Sequence, residues 1–467
     1  MVQVSSRARI KKVTDSKDSA QPRSAIYQVC LVALLSLNFG ILFFDRNALN
    51  FVMPFVKPDL GLTNTQVGLT ASALSFAWAL SALFVSAAAD RGGRRKPFLI
   101  AATIAFSLCS FISGLAGSFL MLLGSRLLMG LAEGGVAPIS QTITALTVSP
   151  ARRGLAMGVM QNFGSNLLGS FAAPVLLVAF ATAYGWHRAF YLAGIPGLIS
   201  AFLLWRFIDE PANVAAASSQ PRQSLRARLG EILAHRNMLL CIWIAILLVS
   251  YLVICWAFTP LFLTKVRGFA PAQMGWLMGT LGISATFGSF IVSGISDRIG
   301  RRPVIVFTCF LGVILPLGAL FYHGSIWILA AIFFFGWALT GAFPLFMGTI
   351  PSETVSTRHM TTAMAIIIGS GEIVGGVISP AAAGWAADLT GLGAPLWIMV
   401  GLCAGAGVLA LALNETAPAR RKTRHDQGET ASTLVPAADS DLNGRNHSAI
   451  AAANEPMPMA TATNSKP

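Results

Sequence analysis

Runs of about twenty consecutive apolar residues recur along the whole chain, and this recurrence limits the possible folds more than any other feature. Twelve runs can be laid out, the first at 27–52 and the last at 392–413. A helix of about 20 residues crosses the hydrocarbon core of a bilayer. Inside lipid a helix also satisfies its own backbone hydrogen bonds, which an isolated strand cannot do. The pattern therefore predicts an all-α membrane protein with twelve transmembrane helices. Composition supports it: of 467 residues, 55% are hydrophobic and 11% charged, where a soluble domain carries about 25% charged residues.

The net charge of +14 raises the question of nucleic acid, and its distribution argues against that. Basic residues cluster between alternate spans: Arg91, Arg94, Arg95 and Lys96; Arg152 and Arg153; Arg222, Arg226, Arg228 and Arg236; Arg298, Arg301 and Arg302; Arg420, Arg421, Lys422 and Arg424. The intervening loops hold Lys57, Arg188, Lys265 and Arg267. Positive loops face the cytoplasm, so both termini are expected there, with the protein in the cell (inner) membrane. A nucleic-acid surface would gather its charge on one face, so no such partner is expected. Residues 1–25 are polar and basic and lack a short apolar region ending in a small-residue cleavage site, so the first span is expected to be an uncleaved anchor. The six cysteines all lie within apolar spans and none forms a Cys-x-x-Cys pair. They read as small core hydrophobes, and no metal or cofactor is expected.

Polar stretches divide the chain. Residues 1–25 form a cytoplasmic tail, 26–208 a first six-helix bundle, 209–236 a cytoplasmic linker and 237–413 a second six-helix bundle. Residues 414–467 are too poor in apolar side chains to fold, and a disordered tail is expected. The two bundles repeat each other. Asp90-Arg91-Gly92-Gly93-Arg94-Arg95 and Asp297-Arg298-Ile299-Gly300-Arg301-Arg302 stand 207 positions apart, while Pro174 and Pro380, and Gly185 and Gly391, stand 206 apart. Such a repeat implies a pseudo-two-fold axis along the membrane normal. Transporters with that plan bind substrate near the midplane, between the halves.

The repeated Asp-Arg-x-Gly-Arg-Arg loop resembles the signature of the major facilitator superfamily, and the resemblance covers about 26–413. Asp45-Arg46-x-x-Leu49 with Pro54, and Arg126-x-x-x-Gly130-x-x-Glu133 with Pro138, are similar to its anion:cation symporter branch. Members of that branch carry sugar acids, hexuronates, sialic acid and aromatic acids, mostly with protons. The resemblance implies a monomeric secondary transporter working by alternating access. It also implies that Asp90 and Arg94 pair across a cytoplasmic gate and engage the start of helix eleven, stabilising an outward-open state. Arg91 belongs to the same loop, and Asp297, Arg298 and Arg301 are the second-half counterparts.

Independently of any family, the segment FFDRNALN at 43–50 places an acid and a base in apolar surroundings. A charge in hydrocarbon costs roughly 3 kcal/mol. Asp45, Arg46, Arg126 and Glu133 must therefore face the bundle interior or a water-filled cavity. Arg126 and Glu133 are seven apart and share a helix face, as do Asn38 and Asp45. Gly130, between the charges of the fourth span, leaves room for a helix or a ligand to come close. Two arginines and two carboxylates sum to zero, so protonating one acid leaves a positive site that attracts an anion. A carboxylate and a proton would then bind cooperatively, as symport requires. Glu133, with no base beside it in sequence, is the candidate proton acceptor and Asp45 the second; Arg46 and Arg126 are candidates for the substrate carboxylate. Asn38, Gln161, Asn162 and Asn166 are further substrate-binding candidates. Glu372 is a substrate contact, a second titrating group or a group facing an aqueous vestibule. Among the aromatics Trp243, Trp256, Phe258, Trp276, Trp337 and Phe343, most are expected to face lipid or the interfaces, and any in the cavity would favour a substrate with an apolar face.

These observations favour import of a small organic carboxylate, a sugar acid or an aromatic acid, by proton symport. An exporter or drug/proton antiporter of the same fold is the alternative. A membrane enzyme lacks a nucleophile, metal or paired-acid constellation in the loops, and a nutrient receptor would bind without flux.

Overall fold

The computed structural model describes residues 24–92, 94–149, 152–211, 230–355 and 360–417, all within the compact unit Met1–Arg420. Residues 1–23, most of the expected linker (212–229) and the tail beyond 417 lie outside them. Among the described residues eleven helices are long and apolar enough to cross a membrane. They are α1 (Ala25–Asp59), α3 (Lys96–Gly114), α4 (Phe119–Thr147), α5 (Leu155–Tyr184), α6 (Trp186–Phe207), α7 (Arg236–Lys265), α8 (Pro271–Ile299), α9 (Arg301–Phe321), α10 (Ile326–Thr354), α11 (Thr362–Thr390) and α12 (Ala394–Leu411). Between α1 and α3 runs α2 (Asn64–Gly92), 29 residues long. The described residues contain no strand.

The sequence repeat is visible in how the helices are built. In α5 a π-helical stretch, Ser165–Ala172, passes into an α-helix with Pro174 in its first turn and Gly185 as its cap. In α11 the stretch Gly371–Ile378 is followed in the same way by Pro380 and Gly391. Gly185 and Gly391 have φ of 87° and 94°, a conformation that a side chain disfavours. A second shared device starts α3 and α9. Glu210, just past α6, accepts from the backbone N–H groups of Arg95 (2.5 Å) and Lys96 (3.0 Å). Glu415, just past α12, accepts from those of Arg301 (2.8 Å) and Arg302 (3.1 Å). A carboxylate suits the positive end of a helix, where the first N–H groups have no helical partner.

The halves meet along three seams. Helix α1 packs on α7, with Phe51 edge-on to Trp256 at 5.5 Å. Helix α5 packs on α8, where Phe171 and Trp276 lie 6.3 Å apart. Helix α2 crosses α11 closely enough that a Cβ on Gly68 would sit 2.1 Å from the Pro380 carbonyl oxygen. At the end of this crossing Asp388 accepts from the N–H groups of Asn64 and Thr65, both at 2.8 Å, and from the Thr65 hydroxyl at 2.6 Å. A residue of one half thus caps a helix of the other, an interaction worth about 1 kcal/mol. Five of the six cysteines are buried, as small core residues should be, whereas Cys30 is exposed near the start of α1 and is not a core residue.

Candidate functional site

Neighbouring residues on a helix point about 100° apart, and this separates Asp45 from Arg46. Asp45 turns into the first half and is fully buried. There it accepts from the Ser110 hydroxyl of α3 at 2.5 Å. Arg46 turns toward the space between the halves, where its guanidinium stands 5.4 Å from the Trp78 ring centroid of α2. Its Nη1 donates to Glu133 Oε2 of α4 at 3.3 Å, and Glu133 is itself fully buried. Gly130 makes this contact possible: a Cβ there would lie 2.4 Å from the Leu74 carbonyl oxygen, so α4 can lie against α2 beside Trp78. The space at Gly130 is thus taken by a helix.

Arg126 is 1% exposed. Its Nη2 donates to Ser113 Oγ at 2.5 Å and its guanidinium lies 5.4 Å from the Phe190 ring centroid. Its Nε and Nη1 have no hydrogen-bond partner among the described residues. The same holds for Asp45 Oδ2 and Glu133 Oε1. Arg126 lies within electrostatic range of both acids. The four groups named from sequence therefore form one cluster inside the first half.

A cavity of about 370 Å³ lies against this cluster, between the halves. That volume suits a small molecule. Arg46 and Arg126 form part of its wall, while Asp45 and Glu133 lie behind them. From α5 come Asn162, Ser165, Asn166 and Ser170; from α2, Thr70, Leu74, Ser75 and Trp78. The second half contributes Val249, Leu252, Val253 and Trp256 from α7, Trp337, Thr340, Phe343 and Met347 from α10, and Ile368 and Glu372 from α11. Trp256 and Trp337 stand edge to face at 5.2 Å. Asn166 and Glu372 belong to the corresponding π-helical stretches of α5 and α11, a conformation that recurs at functional sites.

Two expected substrate contacts lie elsewhere. Asn38 is buried off the cavity, where its Oδ1 accepts from Ser200 at 2.8 Å and Thr103 at 3.3 Å, so it joins α1 to α6 and α3. Gln161 is half-buried and absent from the cavity wall. Three of the six aromatics singled out, Trp256, Trp337 and Phe343, line the cavity. Trp243 and Trp276 are each 57% exposed, and Phe258 is in the core. Trp78 was not anticipated, although its spacing of four from Leu74 and of eight from Thr70 marks one face of α2. Of the loop residues, Arg301 pairs with Asp297 at 2.5 Å and with Glu353 of α10 at 3.1 Å, all within the second half. Arg94 and Arg298 are exposed, and the side chains of Asp90 and Arg91 lie outside the described residues.

The family model of the Major Facilitator Superfamily matches residues 35–368 and 254–453. The chain belongs to this superfamily. Membership makes it a transporter rather than an enzyme, and other superfamily members resemble it along most of their length. The probable sulfoacetate transporter SauU of Cupriavidus necator is 25% identical over 81% of this chain and 92% of its own. The gallate transporter of Pseudomonas putida is 28% identical over 86% of this chain and 95% of its own. Among solved structures, a point mutant of the nucleoside transporter NupG superposes with a TM-score of 0.69, covering 82% of this chain and 98% of its own at 14% identity, a likeness of fold alone.

Proposed function

We propose that the chain imports a small organic carboxylate together with protons by alternating access. The single observation that carries this reading is the double position of Arg46, which lines the cavity while it pairs with the buried Glu133. A carboxylate entering the cavity competes with Glu133 for the same guanidinium. A proton on Glu133 dissolves the ion pair and frees Arg46, so proton and anion favour each other's binding. Arg126 presents unpartnered N–H groups in the same wall and supplies a second anchor. Asp45 sits behind Arg126 as a second proton site. Relatives named for sulfoacetate and gallate, both carboxylates, support the substrate class.

The energetics suit a symporter. An anion entering an inside-negative cell works against about 2.3 kcal/mol per 100 mV. One proton cancels that charge for a monovalent anion, and the pH difference adds about 1.4 kcal/mol per unit. The alternating basic loops support the cytoplasmic placement of both termini in the inner membrane. With that orientation the Asp388 capping contact lies on the outer side, and cavity residues such as Ile368, 20 positions earlier on α11, lie roughly 30 Å inward of it. The seams at Gly68 and Asp388 then close the outer end and give an inward-facing arrangement. We place the acting unit as a monomer, since the cavity is built within one chain.

The test is uptake by the purified chain in proteoliposomes, with labelled aromatic and sugar acids, an imposed pH gradient and a protonophore arm. Carboxylate accumulation that follows the gradient and collapses with the protonophore is the expected result. Accumulation that ignores the gradient removes the proton from the proposal, and failure of every carboxylate to enter removes the substrate class.

A further inference from the structure

The proposed mechanism uses the charges of the first half and leaves one carboxylate over. Glu372 lines the cavity from α11 and makes no hydrogen bond or ion pair with the described residues. Arg46 lies within its electrostatic range but gives its hydrogen bond to Glu133. Small residues surround it: Glu372 Oε2 and Ser75 Cβ each lie 3.1 Å from where a Gly376 Cβ would stand. The carboxylate thus sits in a slot between α2 and α11 beside the Ser75 hydroxyl, which lies 3.2 Å from the same point and makes no hydrogen bond to the carboxylate. Its counterpart 206 positions earlier, Asn166, also lines the cavity. The two halves therefore offer the guest different chemistry at matching places: an amide that donates and accepts, and an acid.

We propose that Glu372 is a specificity residue that accepts a hydrogen bond from a hydroxyl at the end of the substrate remote from its carboxylate, so that the preferred cargo is a hydroxylated acid. This rests on the carboxylate reading above. Cations line the first-half wall and an acid the second, so a bound acid is oriented with its carboxylate at Arg46 and Arg126 and its far end at Glu372. A second carboxylate at that end would meet a like charge. A hydroxyl donates to the waiting acceptor, and a bare C–H leaves that acceptor buried and unsatisfied, an outcome that binding sites penalise strongly. Trp78, Trp256 and Trp337 supply apolar walls for the part of the molecule between its two polar ends.

Matched probes test this on the full chain: benzoate against 4-hydroxybenzoate, hexanoate against gluconate, and terephthalate as the dicarboxylate. Affinities are read by calorimetry in detergent for the wild type, Glu372→Ala and Glu372→Gln. In the wild type a hydroxylated acid is expected to bind at least about tenfold more tightly than its plain partner, with terephthalate weakest. In Glu372→Ala that ratio falls to within about threefold. Glu372→Gln, which can also donate, gains terephthalate affinity while still preferring the hydroxylated acid. A wild-type ratio within about threefold, or a ratio that persists in Glu372→Ala, overturns the role of Glu372 and leaves the carboxylate reading standing. If Glu372→Ala does not fold, a Gln variant that still excludes terephthalate overturns it equally. If none of the five acids binds, the substrate class fails first and this inference with it.

Discussion

The two halves share a scaffold and differ in what they place on it. The first half buries Asp45, Arg46, Arg126 and Glu133 around one point. The residues 207 positions later are Leu252, Val253, Phe333 and Thr340, with no charge among them. Three of these, Leu252, Val253 and Thr340, still line the cavity, so at these places the second half presents uncharged side chains where the first presents ions, and its acid Glu372 stands elsewhere on the wall. Duplication fixed the shape of the chamber. The ion pair of the chamber stands on one side, and the other side is mostly uncharged apart from Glu372. Confining the paired ions of the chamber to one half has a physical advantage. A cluster whose members move together never has to break buried ion pairs as the halves shift, a step that costs about 3–5 kcal/mol when one partner is lost.

The sharpest way to break this comparison is to remove an ion from the charged half. Arg126→Ala is expected to weaken carboxylate binding a hundredfold or more, since truncating one member of a buried charge group costs 2–5 kcal/mol. Unchanged affinity by calorimetry would take Arg126 out of the substrate site. Glu133→Gln keeps the shape and removes the titrating group. Proton-driven accumulation should disappear while substrate counterflow persists in part, and a Gln variant that still concentrates substrate under a pH gradient is not missing its coupling group. A smaller effect is expected where the halves are joined. Asp388→Ala removes three hydrogen bonds at the crossing of α2 and α11. At roughly 0.5–2 kcal/mol for a lost helix cap, the balance of states should move by up to about thirtyfold. Labelling of a cysteine placed at Ser289, compared from the two membrane faces, would read the shift, and equal labelling in both proteins would show that the contact does not govern the balance. The smallest effect concerns an aromatic of the charged half. Trp78→Leu should weaken binding only a few-fold, through loss of the aromatic partner of Arg46, and a loss as large as that of Arg126→Ala would show that the charged half holds its guest through apolar surface as much as through its ions.

How much of this was legible in the sequence depends on how unusual each residue is in oil. A charge within an apolar run has few places to go, so Asp45, Arg46, Arg126, Glu133 and Glu372 stood out, and all five lie in the cavity wall or directly behind it. The helices were legible for the same reason, since only a lipid-spanning segment needs so long an apolar run. Amides are ambiguous because helices inside a membrane also use them to hold each other. Asn162 and Asn166 reach the cavity, whereas Asn38 ties three helices together and Gln161 stays off the wall. Tryptophan is more ambiguous still. Helix α7 is apolar all round, so nothing local distinguishes Trp256 in the chamber from Trp243 on the outside. The π-helical stretches of α5 and α11 were not anticipated at all, because the backbone adopts them under the packing of neighbouring helices and no residue type announces them.

Glu210 and Glu415 each turn the exit of a half back onto its own third helix. Each bundle thereby has the end of its last helix fastened to the start of its third. Under the proposed alternating access, each bundle would then turn as one body instead of shedding its last helix.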